Sequence, residues 1–178
     1  MRKRIVTKPF RVITADPPWS FGDKLPGNTR GAEKNYQVLS VDQVCAFTLP
    51  PIADDALLFL WRVSSQVEEA NRVVRAWGFV PKTEIVWVKK TNTGKRHFGM
   101  GRIVRAEHET CIVAKRGRPE ILAKNIRSTF EAPTGRHSEK PETFYRDIVE
   151  KLSAGPYVEL FGRRLREGWT VLGNEVPS

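Results

Sequence analysis

The chain is poor in cysteine, short of acidic residues, and without a long apolar run. Cys45 and Cys111 are its two cysteines in 178 residues, with no CxxC pair and no histidine at ligand spacing. That spacing excludes a structural zinc site and a disulfide framework, and both thiols read as buried small hydrophobes in a reducing cytoplasm. No apolar stretch approaches the roughly 18 residues that a membrane span needs, so no membrane association is expected. The basic opening MRKRIVTK, an arm over residues 1–8, has no apolar segment behind it and does not read as a signal peptide. Asp and Glu number 20 against 30 Lys and Arg, a formal net charge of +10. An imbalance of that size favours a polyanionic partner, although it is also a route to solubility.

What is present is ordinary for one globular domain over residues 1–178: 40% hydrophobic and 28% charged. Short β-branched runs recur along the chain. FRVITA (Phe10–Ala15), ALLFLW (Ala56–Trp61), EIVWV (Glu84–Val88), TCIVA (Thr110–Ala114), YVELF (Tyr157–Phe161) and WTVL (Trp169–Leu172) read as strands. Ser40 and Gln43 form a capping box for a short helix through Phe47. Val63, Val67, Ala70, Val74 and Trp77 fall at helical spacing, closed by Gly78. A further helix begins at Ser138 with Pro141 in its first turn, and Phe144, Tyr145, Ile148, Val149 and Leu152 line one face. Residues 22–35, 89–108 and 115–137 read as mobile loops. Strands alternating with helices predict an α/β fold, a mostly parallel sheet with helices on both faces. Such sheets bind ligands at the carboxyl ends of their strands, here after Ala15, Trp61, Val88 and Phe161.

Asp16-Pro17-Pro18-Trp19 stands at the first of those ends. Prolines remove N–H donors, which frees nearby carbonyls to accept from another group. A carboxylate, a carbonyl and an aromatic ring at one strand end suit an amino group on a planar heterocycle. The adenine amino nitrogen is a poor nucleophile because its lone pair is delocalised into the ring. Acceptors that pull it toward a tetrahedral geometry, and a carboxylate facing the developing positive charge, address that difficulty. A strand-ending turn with a packed Trp is the plainer alternative.

ITADPPWSF resembles the catalytic motif of the permuted adenine-N6 methyltransferases, the family of the subunit that modifies eukaryotic messenger RNA and of small bacterial and phage relatives. ALLFLW, EIVWVKK, FGMGR, RAEHETCIVAKRG, HSEKPE and ELFGRR…GWTVLGNE are similar to that family in the family's order, from about Val12 to Glu175. The resemblance implies a Rossmann-like methyltransferase sheet in permuted order, catalytic strand first and cofactor strands last. It implies S-adenosylmethionine as cofactor and N6 of adenine in nucleic acid as the acceptor. Asp16 and Pro17 would hold the target amino group within the motif that Pro18 completes, Trp19 would lie against the base, and Asp16 would also sit near the cofactor's methionine part. Lys140 would pair with the methionine carboxylate. Glu159, Phe161 and Arg163 would line the cofactor pocket, and Asn174 and Glu175 would reach its ribose or adenine. The glycine-rich phosphate loop of dinucleotide sites is absent, since ELFGRR holds one glycine.

The run Lys89–Arg105 interleaves Lys89, Lys95, Arg96, Arg102 and Arg105 with Phe98, which suits phosphate contacts and one stacking ring. Relatives often carry an aromatic residue where this chain has Arg102 or Ile103. Tyr36 is placed to gate a base pocket, and His108-Glu109 resembles a family HE pair with a pocket-supporting role. The charge serves DNA and RNA alike and no element is dedicated to 2′-hydroxyls; DNA is expected because the small size and the lack of a targeting segment fit a bacterial or phage protein. That size leaves little room for a target-recognition domain, so a homodimer or a second subunit is a further expectation. A non-catalytic partner subunit, a plain nucleic-acid-binding module and a methyltransferase for a protein amide are the rival readings. An intact DPPW and SEKP stand against the first. A pure binding module need not retain the ELFGR and GNE pocket, and Asp16, where amide-modifying enzymes carry Asn, stands against the third.

Overall fold

The computed structural model describes residues 8–20, 38–97, 99, 103–135 and 139–173. Its strands are β1 (Phe10–Ala15), β2 (Ile52–Arg62), β3 (Val80–Lys90), β4 (His108–Arg116), β5 (Thr129–Pro133), β6 (Tyr157–Leu160) and β7 (Trp169–Leu172). They form a 7-stranded sheet in the order β5-β3-β4-β2-β1-β6-β7. β4 runs antiparallel to β2 and β3, and every other pairing is parallel. The carboxyl ends of the parallel strands therefore share one edge with the beginning of β4. This is the mostly parallel α/β sheet that the strand and helix pattern predicts, with the Asp16 strand near its centre.

Both faces of the sheet are covered, which is why the central strands carry no polar alternation. On one face Ile13, Leu58, Leu60 and Ile112 pack against Ala70, Val73 and Val74 of α2 (Val67–Ala76). On the other, Val12, Phe59, Trp61 and Trp87 pack against Phe144, Tyr145, Ile148 and Val149. Those last residues belong to α3, wound as a π-helix over Phe144–Val149 and as an α-helix over Glu150–Leu152. The wider π turn is a form frequent at functional sites. α1 (Val41–Cys45) carries the expected capping box: Gln43 N–H donates to Ser40 Oγ at 3.2 Å, and Ser40 N–H to Gln43 Oε1 at 2.8 Å.

Several boundaries differ from the sequence reading. α2 starts at Val67, because Val63 sits in a turn whose carbonyl accepts the Gln66 N–H at 3.0 Å. The segment 115–137 is not loop throughout, since β5 pairs with β3 inside it. β5 is a short edge strand with only Ala132 buried, so it leaves no apolar run to read. Residues 89–97 fold back on themselves: Thr91 N–H donates to Lys95 O at 2.7 Å and His97 N–H to Lys89 O at 3.0 Å. Gly94, at φ 79°, supplies the left-handed residue of that turn. Cys111 is fully buried as expected, whereas Cys45 is only half-buried. The segment 22–35 and the capping position Ser138 lie outside the described residues.

Candidate active site

At the end of β1 the chain makes a tight turn. Trp19 N–H donates back to Pro17 O at 2.8 Å, and Leu39 N–H donates to Pro18 O at 2.8 Å. The Pro17 carbonyl is thus already engaged through one lone pair, where the sequence reading had it idle; its second lone pair is the remaining acceptor. Trp19 is 5% exposed, packed in the core, with its indole N–H donated to Trp61 O at 3.0 Å. Its ring offers no open stacking face and instead anchors the turn to β2. Asp16 is left half-buried at the sheet edge.

Lys140, immediately before α3, reaches this turn. Its Nζ lies 2.8 Å from Asp16 Oδ2 and 3.0 Å from Glu109 Oε2, and 5.2 Å from the centroid of the Trp61 ring. Glu109 holds Lys89 Nζ on its other oxygen at 2.6 Å. Charges of alternating sign therefore run Lys89, Glu109, Lys140, Asp16. Lys140 is 7% exposed, and such burial would strip its proton were it alone. The carboxylates of Asp16 and Glu109 outweigh that effect and hold its pKa above the ordinary lysine value. Burial likewise works to raise the Glu109 pKa, but Lys140 and Lys89 draw it below the usual carboxylate value. Glu109 reaches the site because β4 is antiparallel, so its start coincides with the other strands' ends.

A second polar group is buried beneath the same edge. Glu159, on β6, stands in register beside Thr14 of β1. Tyr145 Oη donates to Glu159 Oε1 at 2.8 Å, and Arg166 Nη2 lies 3.4 Å from Oε2. Burial pushes the Glu159 pKa up, with the Tyr145 hydroxyl and Arg166 opposing it. Arg166 is 7% exposed, its guanidinium carbon 3.4 Å from the Tyr145 ring centroid, and it also pairs with Glu142. Thr14 Oγ1, Trp61 Nε1 and Arg166 Nε are buried without a hydrogen-bond partner. Buried polar atoms of that kind are capacity that a ligand or a water can satisfy. A cleft of about 350 Å³ opens beside Lys140, lined also by Thr134, Gly135, Glu139 and Arg164. A larger groove of about 720 Å³ lies toward the opposite edge, around Lys82 and Lys115, and none of its ionisable side chains is buried.

The structure thus brings Asp16, Lys140 and Glu159 to one edge. Phe161, at the end of β6, takes φ 61° and packs its ring 4.8 Å from that of Phe47. Arg163 is half-buried on the following turn. Lys89, expected at phosphate, is instead held by Glu109, and Arg96 is paired with Glu107 at 3.1 Å while remaining exposed. Lys95 and Arg105 are exposed. Tyr36, Phe98, Arg102, Asn174 and Glu175 lie outside the described residues. Sequence reasoning missed the pairing of Glu109 with both lysines, and it missed Glu142 and Tyr145. It gave no role to Arg166, which the structure buries on Tyr145. The spacing of Lys140, Glu142 and Tyr145 around one helix start was the available signal.

A doubly covered, mostly parallel sheet with its polar cluster at the carboxyl edge defines a Rossmann-like α/β fold of the methyltransferase type. Comparison with known proteins specifies it further: residues 10–175 match the MT-A70 family, and the chain belongs to that family. It is 33% identical over 176 residues to the N(6)-adenosine-methyltransferase MT-A70-like protein of Drosophila melanogaster, covering 95% of this chain and 27% of that one. It is 31% identical over 184 residues to the human N(6)-adenosine-methyltransferase catalytic subunit METTL3, covering 95% and 28%. It is 30% identical over 191 residues to the type II methyltransferase M.MunI of a Mycoplasma species, covering 96% and 79%. The chain spans just over a quarter of the length of the first two.

Proposed function

We propose that this chain transfers the methyl group of S-adenosylmethionine to the N6 amino group of adenine in nucleic acid, with DNA preferred over RNA. The observation that carries the reading is the contact between Asp16 and the buried ammonium of Lys140, 2.8 Å apart at the end of β1. An anion and a cation so placed complement the ammonium and carboxylate of a methionine head group. The partnerless Thr14 hydroxyl and Arg166 Nε add polar capacity in the same buried region. The residues present therefore fit this cofactor.

S-adenosylmethionine supplies an electrophilic methyl on a sulfonium. Asp16 is the acceptor for the target amino group, and its charge opposes the positive charge that builds on nitrogen. The Pro17 carbonyl adds its remaining lone pair. Lys140 binds the methionine carboxylate while Glu109 keeps it charged. Trp19 fixes the turn by its bond to Trp61 and has no need to touch the base. Membership of MT-A70, and relatives named as N(6)-adenosine-methyltransferases, support the reaction class. DNA is favoured because the chain matches most of the length of the type II methyltransferase M.MunI. Target choice falls to the basic residues Lys95, Arg96 and Arg105 or to a second subunit. A non-catalytic role is disfavoured, since the Asp16–Lys140 contact is intact.

Methyl transfer from radiolabelled S-adenosylmethionine to single- and double-stranded DNA and RNA, each with and without adenine, tests this directly. N6-methyladenine is the expected product, and Asp16→Ala is expected to lower turnover by at least about 100-fold. Undiminished turnover in that variant would remove Asp16 from the mechanism.

A further inference from the structure

We propose that Arg166, acting with Tyr145, is a positioning residue for the cofactor site: it holds the Glu159 carboxylate at the carboxyl edge and, through Glu142, fixes the turn that carries Lys140. This rests on the S-adenosylmethionine reading above.

The geometry is specific. One guanidinium makes both connections: Nη1 pairs with Glu142 and Nη2 reaches Glu159, while its plane lies on Tyr145. Glu142 stands two residues after Lys140, so the first contact ties the β6–β7 connection to the start of α3. Arg164 Nη2 adds to that tie, 2.7 Å from Glu142 Oε2. The second contact works with the Tyr145 hydroxyl to satisfy both oxygens of Glu159. Glu159 in turn sits beside Thr14, two residues before Asp16. Arg166 thus joins the two halves of the site, the Asp16–Lys140 contact and the β6 end.

A packing role alone does not account for the choice of residue. The surroundings are Tyr145 and Trp169, against which an uncharged side chain would pack with no desolvation cost. Burying a guanidinium there is justified by what it holds. Without Arg166, the Glu159 carboxyl would keep only the Tyr145 hydroxyl against burial that already pushes its pKa up. It would then take a proton at higher pH and lose its charge at the site.

The test uses the whole chain carrying Arg166→Met, Arg166→Lys, Tyr145→Phe or Glu159→Gln. The Glu159 carboxyl is titrated by carbon-13 NMR, and S-adenosylmethionine affinity is measured by calorimetry across pH. Arg166→Met is expected to move the Glu159 titration upward and to weaken affinity by about tenfold near neutral pH. Its affinity should fall further with acidification over a range where the wild type is flat. Arg166→Lys should recover part of the loss, and Tyr145→Phe should shift the titration in the same direction by less. Adding Arg166→Met to Glu159→Gln should add no pH dependence. An unmoved Glu159 titration in Arg166→Met, or unchanged affinity there, overturns the proposal. Should that variant fail to fold, Tyr145→Phe, which removes one oxygen atom, decides by the same readouts. If the wild type binds no S-adenosylmethionine, the proposed function fails separately, and the carboxyl titration still shows whether Arg166 holds Glu159.

Discussion

Lys140 illustrates how a single buried charge is kept. An ammonium 7% exposed is tolerated because it touches two carboxylates, and the charge of Glu109 is in turn sustained by it. Glu109→Gln removes one partner and leaves Asp16, so the expected cost is about 1–3 kcal/mol in urea unfolding at neutral pH. The pH dependence follows from the directions of the shifts. The folded pKa of Glu109 lies below its ordinary 4.5, so its contribution is complete above 4.5 and disappears as pH falls through the lower folded value. That of Lys140 lies above its ordinary 10.5, so its contribution is complete below 10.5 and disappears only as pH rises beyond it. The stability gap between wild type and Glu109→Gln should therefore hold across neutral pH and narrow on acidification below 4.5. A gap indifferent to acid would show that the pair contributes nothing.

At the scale of elements, what could be read from the chain was whatever its neighbours in sequence determine. FRVITA followed by Asp16-Pro17 announces a buried strand and its stop, and ALLFLW has the unbroken apolar character of a strand covered on both sides. β5 escaped because an edge strand with one buried residue has no hydrophobic period. Arg166 escaped because its burial depends on Glu142 and Tyr145, more than twenty residues upstream, and RRLR by itself looks like a solvated run. Lys89 escaped for the same reason, its partner Glu109 being delivered by the next strand. The junction of β6 and β7 was legible only as scattered glycines. There a Cβ on Gly173 would run into the Gly162 carbonyl, so two backbones cross where no side chain fits. Gly173→Ala is expected to cost about 1–3 kcal/mol and to weaken cofactor binding as the Arg163 turn is displaced. Thermal melting with calorimetry checks both, and a wild-type melting temperature would contradict the crossing.

At the scale of the whole molecule, the +10 net charge is the dominant property. The described site absorbs part of its cationic charge internally, since Lys89, Lys140 and Arg166 are all paired with carboxylates. An exposed cation such as Lys95 is placed to meet phosphate. Binding to an adenine-containing duplex should therefore weaken steeply with salt, and Lys95→Ala should reduce the slope of log affinity against log salt by about one. Lys89→Ala should instead change turnover more than salt dependence. Equal salt slopes for wild type and Lys95→Ala, measured by fluorescence anisotropy, would take that lysine off the contact surface.

The place of β1 in the sheet also governs how the protein comes into being. During synthesis one neighbour of β1, β2, follows it soon after. Its other neighbour, β6, begins only at Tyr157. Until then one side of the Asp16 strand has unpaired backbone groups, on a chain lengthening at about 5–20 residues per second. Such long-range closure slows folding. A nascent chain stalled before Tyr157 would display that open edge, which makes the arrival of β6 the step that completes the pairing of the Asp16 strand.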